Sequence, residues 1–393
     1  MDRPEAAYRA DGPSILLRDD LTGTEMRFAI PREVIRADHP DEVQAALDRM
    51  ERTRAAGKWC SGYVSYEAGY ALEPKLRDIM PGGRRLPLVL MGVFNAPETG
   101  SVGTRATGKA TLTDVRPEWS FENYRSRFER VHRHLRTGDC YQANLTFPFS
   151  ARWSGDPIAL FEEMTARQPV RYAALIDLGG PIILSRSPEL FFQVDAEGWI
   201  ETHPMKGTIG RGSTPEADAA LAETLRQDGK NQAENLMIVD LLRNDISRIC
   251  QLGTLHVPEM FRIESYPTVH QMVSRVRARL ALETTVSDTF TALFPCGSIT
   301  GAPKIRAMQI LRALESRPRD IYCGAIGFVA PSGEMRFNVA IRTLTLHAGG
   351  EAVFNVGGGI VFDSEVRSEY DECLLKARFA SGPDPKSCPR TDV

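Results

Sequence analysis

Paired cysteines, long apolar runs and an excess of either charge are all missing from this chain. The seven cysteines (60, 140, 250, 296, 323, 373 and 388) are odd in number, and no two stand at C-x-x-C spacing. That argues against a disulfide framework and a zinc site, and fits the reduced thiols of the cytoplasm. No apolar run reaches the ~20 residues of a membrane-spanning helix, and the opening MDRPEAAYRADGPS lacks the apolar centre of a signal peptide. A net charge of −3 offers no basic surface to nucleic acid or an anionic bilayer. No period of about 20 to 50 residues recurs, which argues against a solenoid. Nucleotide fingerprints are missing too. Gly207, Gly210 and Gly212 have the wrong spacing for G-x-G-x-x-G, and the run from Gly297 to Lys304 contains no Gly-Lys-Ser/Thr. The expectation is a cytoplasmic globular protein with neither a nucleic-acid nor a membrane partner.

What is present is a dense series of strand-like and helical segments. Strand-like runs fall twice within 13–30, then at 60–66, 86–94, 141–147, 172–178, 182–185, 190–194, 199–202, 254–257, 269–279, 324–330, 335–346 and 352–362. Amphipathic spacing predicts helices over 41–56, from Ser120 to a stop at Gly138, over 157–167, from Thr214 onward, and over 231–250, 284–293, 304–315 and 365–379. In the helix over 231–250, Leu236, Val239, Leu242, Ile246 and Ile249 share a face. Residues 96–109 have little apolar content and read as a crossing loop or seam. Strands come in runs rather than alternating strictly with helices, which points to α+β with large antiparallel sheets.

Several stretches carry chemistry. Pro204 to Gly212 holds a proline, three glycines and one lysine, Lys206, between a predicted hairpin and a helix opened by Thr214-Pro215. Its composition says tight loop. Lys206 is either a surface lysine or an amine nucleophile, and the second requires a site that lowers its pKa. Glu234, Glu369 and Glu372 are candidate metal ligands; the last two stand three apart on one helix face, which is equally the pattern of a solvated acidic surface. Gly357, Gly358 and Gly359 end a strand, where they either break the ladder as a bulge or bring backbone N–H groups to an anion. Arg342 is a charge inside an apolar strand and calls for a carboxylate partner from protein or ligand. His270 precedes Met272 and Val273 and fits a satisfied core histidine as well as a catalyst.

Taken together, Ser187-Pro188-Glu189-Leu190, the Lys206 loop, Ala233 through Asp245, Ser298 through Lys304, Tyr322 through Gly327 and Gly357 through Lys376 resemble the chorismate-utilising enzyme family. The resemblance spans roughly residues 115–380 and implies an anthranilate synthase component I-like two-sheet β-sandwich with surrounding helices. It also implies chorismate as substrate and Mg²⁺ as cofactor. Residues 1–110 would complete the sandwich as an α+β subdomain, 115–380 would bind chorismate, and 381–393 would form a polar tail on one fused unit.

Lysine at 206 with glutamine at 142 resembles the members that make 4-amino-4-deoxychorismate for para-aminobenzoate and folate. Anthranilate synthases carry alanine in place of Lys206, and isochorismate and salicylate synthases carry a lysine base in place of Gln142. Anthranilate synthesis and a non-catalytic chorismate-binding subunit are the alternatives. The resemblance makes Lys206 the nucleophile and Glu189 the acid and base, with Glu234, Glu369 and Glu372 on the metal. Tyr322, Arg342, Lys376 and the amides of Gly357, Gly358 and Gly359 would take the substrate carboxylates, and His270 and Ser298 fall at active-site positions. Met205 replaces the usual isoleucine, and the Leu-Leu-Glu-Ser stretch associated with bound tryptophan is missing. Ammonia is expected from a separate glutamine amidotransferase subunit or from solution.

Overall fold

The computed structural model describes residues 12–100, 106–266 and 269–382; beyond Gly382, the predicted tail lies outside the described residues. Two antiparallel sheets dominate, with strands numbered along the chain. Across the first sheet run Gly301–Ala302 (β16), Gln142–Gly155 (β8), Glu351–Ile360 (β20), Thr343–Leu346 (β19), Ile182–Ser187 (β10), Tyr172–Asp177 (β9), Ser14–Asp19 (β1), Thr24–Ala29 (β2) and Glu98–Gly100 (β6), and Ala110–Pro117 (β7) pairs with β8. Across the second run Met205–Gly210 (β13), Val269–Arg279 (β15), Trp199–Thr202 (β12), Leu190–Val194 (β11), Met335–Val339 (β18), Ala325–Val329 (β17), Trp59–Val64 (β4), Val89–Phe94 (β5) and Glu33–Ala37 (β3), and His256–Ser265 (β14) pairs with β15.

Side-chain alternation sorts each strand between two cores, because successive residues of a strand face opposite ways. Ile183 of β10 and Ile176 of β9 meet Tyr63 of β4 and Phe328 of β17 between the sheets. Their neighbours Leu184 and Leu175 pack outward, against helices Phe121–Arg136 (α3), Pro157–Arg167 (α4), Lys304–Arg312 (α8) and Val366–Ser381 (α9). Outside the second sheet lie Glu42–Ala55 (α1), Ala68–Leu72 (α2), Gly229–Ser247 (α6) and Val286–Leu293 (α7), while Pro215–Gln227 (α5) packs on β13, β14 and β15. The cap signals hold: the hydroxyls of Ser120 and Thr214 accept from the amides of Asn123 and Ala217 at the starts of α3 and α5. Among the described residues no helix is long and apolar enough to cross a membrane.

Four local readings change. The Lys206 stretch is an edge strand, β13, rather than a loop. It pairs with β15 through a register shift between Met205 and Thr208, and Gly207 at the shift has φ +85. A Cβ on Gly207 would stand 2.8 Å from Asn231 Cγ of α6, so glycine serves a bulge and a close helix approach here. The apolar run 335–346 is two strands in different sheets, since Ala340, Ile341 and Arg342 leave one ladder before Thr343 joins the other. Leu236 is 42% exposed because the buried stripe of α6 starts one residue earlier, with Asn235. Asn235 earns that place by accepting from Ser274 Oγ at 2.6 Å. Finally, β14 is longer than 254–257 suggested. It carries Pro258 on the sheet edge, where a missing N–H is tolerated.

Candidate active site

Two chain crossings between the sheets lie side by side, and the candidate site is built on them. One is Ser187-Pro188-Glu189, from β10 to β11; the other is Ala340-Ile341-Arg342, from β18 to β19. Ser187 Oγ donates to Val339 O at 2.6 Å, Val339 N donates to Glu189 O at 3.0 Å, and Arg186 N donates to Arg342 O at 2.9 Å. Arg342 has φ +51, an uncommon backbone state for a bulky residue and one that collects at functional positions. Glu189 is buried, and Ser298 Oγ, in the short turn Gly297–Ile299, donates to its Oε1 at 2.7 Å. Burial pushes the Glu189 carboxyl above its ordinary pKa, opposed by the Ser298 hydrogen bond and the charges of Lys206, Arg342 and Lys376.

Lys206 reaches into this space from β13. Its Nζ stands 4.0 Å from Glu234 Oε2 on α6, and its side chain is 17% exposed. Burial lowers its pKa and Lys376 lowers it further, against the raising effect of Glu234, Glu189 and Glu372. A Cβ on Gly359 would lie 3.1 Å from that Nζ and 3.0 Å from Gln142 Cδ, so amine, amide and bare backbone converge. Gln142 is fully buried, and neither of its amide atoms finds a hydrogen-bond partner among the described residues.

The glycine triplet is neither a bulge nor a break. β20 stays in register with β8 throughout, pairing Gly357 with Thr146, Gly358 with Leu145 and Gly359 with Asn144. On its other edge β19 stops pairing at Phe354, leaving the backbone from Asn355 onward without a neighbouring strand on that side. Lys376 Nζ donates to Gly357 O at 2.9 Å and pairs with Glu372 at 2.7 Å. A Cβ on Gly358 would meet Glu369 Oε2 at 2.9 Å. Burial raises the pKa of Glu369, helped by Glu372 and opposed by its 2.7 Å bond from Ser364 Oγ. Burial would also raise Glu372, but Lys376 outweighs it and holds that carboxyl below its ordinary value.

Arg342 makes no side-chain hydrogen bond to the described residues, and burial lowers its pKa to about 10 against Glu189 and Tyr322. Tyr322 is buried and its phenol is pushed well up by burial, which keeps it a neutral donor. An unpaired guanidinium beside a neutral phenol and an open strand edge is a receptor for a carboxylate.

Among the described residues, no three His, Cys, Asp or Glu side chains stand together as a preformed metal cluster. Glu234 and Glu372 nevertheless both act on Lys206, and Glu372 acts on Glu369. Carboxylates from two helices around one cleft suit Mg²⁺, which commonly takes one or two carboxylates and fills the remaining positions with water and substrate oxygens.

His270 is placed apart. Its Nδ1 bonds Ser265 Oγ at 2.8 Å and its Nε2 bonds Asp218 Oδ1 at 2.9 Å, so it ties α5 to the β14–β15 hairpin, and neither bond reaches the cleft. The structure adds a pair that the sequence did not mark, Arg319 and Glu315. Arg319 donates to Ile299 O at 3.0 Å, Asn144 O at 2.8 Å and Glu315, and Glu315 Oε1 accepts from Thr146 N and Oγ1, each at 3.0 Å. One buried ion pair thus holds both the turn that carries Ser298 and the strand opposite the glycines. In sequence, Ser316-Arg317-Pro318-Arg319 reads only as a polar loop.

Comparison with known proteins agrees with this geometry. The family described as chorismate binding enzyme matches residues 98–382. The chain is 44% identical over 267 residues to aminodeoxychorismate synthase component 1 of Klebsiella aerogenes, covering 68% of this chain and 59% of that protein. It is 32% identical over 392 residues to anthranilate synthase component 1 of Methanothermobacter thermautotrophicus, covering 93% and 82%. The solved anthranilate synthase component I from Streptococcus pneumoniae TIGR4 superimposes with a TM-score of 0.78 at 25% identity, covering 96% of this chain and 94% of that one. The chain spans little more than half the length of the Klebsiella relative. Two sheets joined by paired crossings, with a family match across most of the chain, leave one assignment: the chain belongs to the chorismate-binding enzyme family.

Proposed function

We propose that the chain aminates chorismate to 4-amino-4-deoxychorismate, as component I of an aminodeoxychorismate synthase serving para-aminobenzoate and folate synthesis in the cytoplasm. The observation that carries this reading is Lys206, a lysine with its pKa lowered by burial whose amine adjoins Gly359 and Gln142 in a cleft shared with Glu189. The 44% identity to a protein of that name supports it. Anthranilate synthesis is the second reading, favoured by an alignment that covers 93% of the chain; the lysine at 206 weighs against it.

In this mechanism the Lys206 amine adds at C2 of chorismate as the C4 hydroxyl departs, protonated by Glu189 to leave as water. Ammonia then adds at C4 and the lysine leaves C2, with Glu189 taking back a proton. Retention at C4 follows from two successive displacements. Arg342, Tyr322, Lys376 and the free edge at Gly357, Gly358 and Gly359 bind the carboxylates, and Ser298 orients Glu189. Glu234 and Glu372, with Glu369 in support, would hold Mg²⁺, which when bound supplies positive charge for a substrate carboxylate. Ammonia would come from a glutamine amidotransferase partner.

The decisive experiment incubates the chain with chorismate, Mg²⁺ and ammonium and identifies the product by mass. The aminated cyclohexadiene, formed without pyruvate, is expected; anthranilate with pyruvate would replace this reading by the second, and no turnover would favour a silent binding subunit.

A further inference from the structure

A second cavity of about 310 Å³ lies behind the Arg342 crossing. Its floor is one face of β19 and β20. The register sets Thr345 beside Val353 and Leu344 beside Phe354, so Leu344, Leu346 and Phe354 pack into the outer core while Thr345, His347 and Asn355 line the cavity. These three are only 5%, 8% and 8% exposed. Among the described residues, none of their side chains makes a hydrogen bond, and none of their polar atoms is sealed from solvent. Polar atoms that face the cavity and have no partner within the protein are free to bond an occupant.

The walls and mouth narrow the choice. Leu86, Pro318 and Ile321 give apolar sides. At the mouth Arg85 holds the exposed carboxylate of Glu351 at 2.6 Å and the exposed Arg317 holds the partly buried carboxylate of Glu118 at 2.8 Å, contacts that another carboxylate would match. The volume is near the lower end for small-molecule sites. Lys206, Glu189 and Glu234 do not line it, which separates it from the catalytic cleft. Tyr322, which stands beside the Arg342 guanidinium, and Thr343, which follows Arg342 in the chain, do line it.

We propose that this cavity is a binding site for a small ring-bearing monocarboxylate with a hydrogen-bonding substituent, of aminobenzoate size. Its carboxylate lies toward Arg85 and Arg317 and its substituent against Asn355 and Thr345. The occupant rests against Tyr322 and Thr343 and so contacts the segment that carries Arg342. The inference does not depend on the reaction proposed above, because binding is measured without turnover.

The test is calorimetric titration of the full chain with 4-aminobenzoate as probe, with aniline as the carboxylate-free control. Wild type should bind the probe with a Kd below about 1 mM, and Lys206→Ala should match it within about twofold. Asn355→Leu and Thr345→Val should each weaken binding about tenfold, since each removes a partner from a buried polar contact. Aniline should bind at least about tenfold more weakly. If Asn355→Leu fails to fold, Thr345→Val alone carries the comparison. Absence of binding to wild type overturns the proposal, as does aniline binding equally well. Binding lost in Lys206→Ala but kept in the cavity variants overturns it too, by assigning the probe to the catalytic cleft.

Discussion

Lys206 and Glu189 are displaced by burial in opposite directions, one amine pulled down and one carboxyl pushed up. The proposed first step needs the amine neutral and the carboxyl protonated, a state with the same net charge as the ordinary ion pair. Each unit by which the two values approach one another enriches that state about tenfold. The rate should therefore be bell-shaped in pH. It falls on the acid side as Glu189 and the amine are both protonated, and on the alkaline side as both lose their protons. The plateau should be narrower than that of an ordinary glutamate and lysine. Rates measured against free NH₃ at each pH check this, and a flat profile would remove the pair from the chemistry. Lys206→Ala should lose at least about a thousandfold in kcat with ammonia as donor, and Glu189→Gln, which can still accept from Ser298, about a hundredfold or more. Lys206 and Arg342 stood out in the sequence because charged residues among glycines or β-formers need a reason, whereas Glu234, on a polar helix face, stood out through the family resemblance. The placement of His270 was not readable, since a histidine that bonds Asp218 has the same local pattern as one that meets a ligand.

At the scale of elements, glycine content misled the reading of β13 and apolar content misled that of β18 and β19. Glycines mark both loops and bulged strands, and the distinction is made by the partner strand and helix. A continuous apolar run tells only that both faces are covered; it does not tell that the cover changes from one sheet to the other. The close fit of β20 against Lys206 yields a test. Gly359→Ala puts a methyl about 3 Å from Gln142 and the Lys206 amine, displacing flexible side-chain ends while leaving the ladder with β8 intact. Folding should survive, and kcat should fall by up to about a hundredfold through misplacement of the proposed nucleophile. Circular dichroism with steady-state rates checks both. The Arg319–Glu315 pair makes a different prediction. Arg319→Met leaves Glu315 buried without its counter-charge and should destabilise by about 3–5 kcal/mol. Arg319→Met with Glu315→Met should recover part of that in denaturant titration, yet remain slow, because Ile299 O and Asn144 O still lack their donor.

For the whole molecule, the sequence conveyed large antiparallel sheets, helices and most element positions, because cap residues, period-two runs and helical stripes are local signals; the two-sheet sandwich came from the family resemblance. It did not convey strand order, which joins residues as far apart as Ser61 and Gly327. Global stability has its own pH signature at Glu67. This carboxyl is almost fully buried; Oε1 accepts from Arg319 N at 2.7 Å, and Oε2 has no partner among the described residues. Burial, reinforced by Asp320, pushes it up to about 8. The folded chain keeps this proton where the unfolded chain, with an ordinary glutamate near about 4.3, has released it. The contribution is therefore fully present below that lower value and is lost as pH rises toward 8. Glu67→Gln does not titrate, so its melting temperature should gain on wild type with rising pH across that interval and run parallel above it. Parallel curves throughout would show that Glu67 is ionised in the folded protein.

The paired crossings also bear on motion. Glu189 and Arg342 each sit on a span anchored at one end in one layer of the sandwich and at the other end in its opposite layer, and the two spans are stitched together by Ser187, Val339 and Arg186. Sliding one layer over the other would drag Glu189 and Arg342 along together. The spacing between these two groups is thus insulated from breathing of the scaffold, while the amine on edge strand β13 remains the member of the trio whose distance such breathing can change.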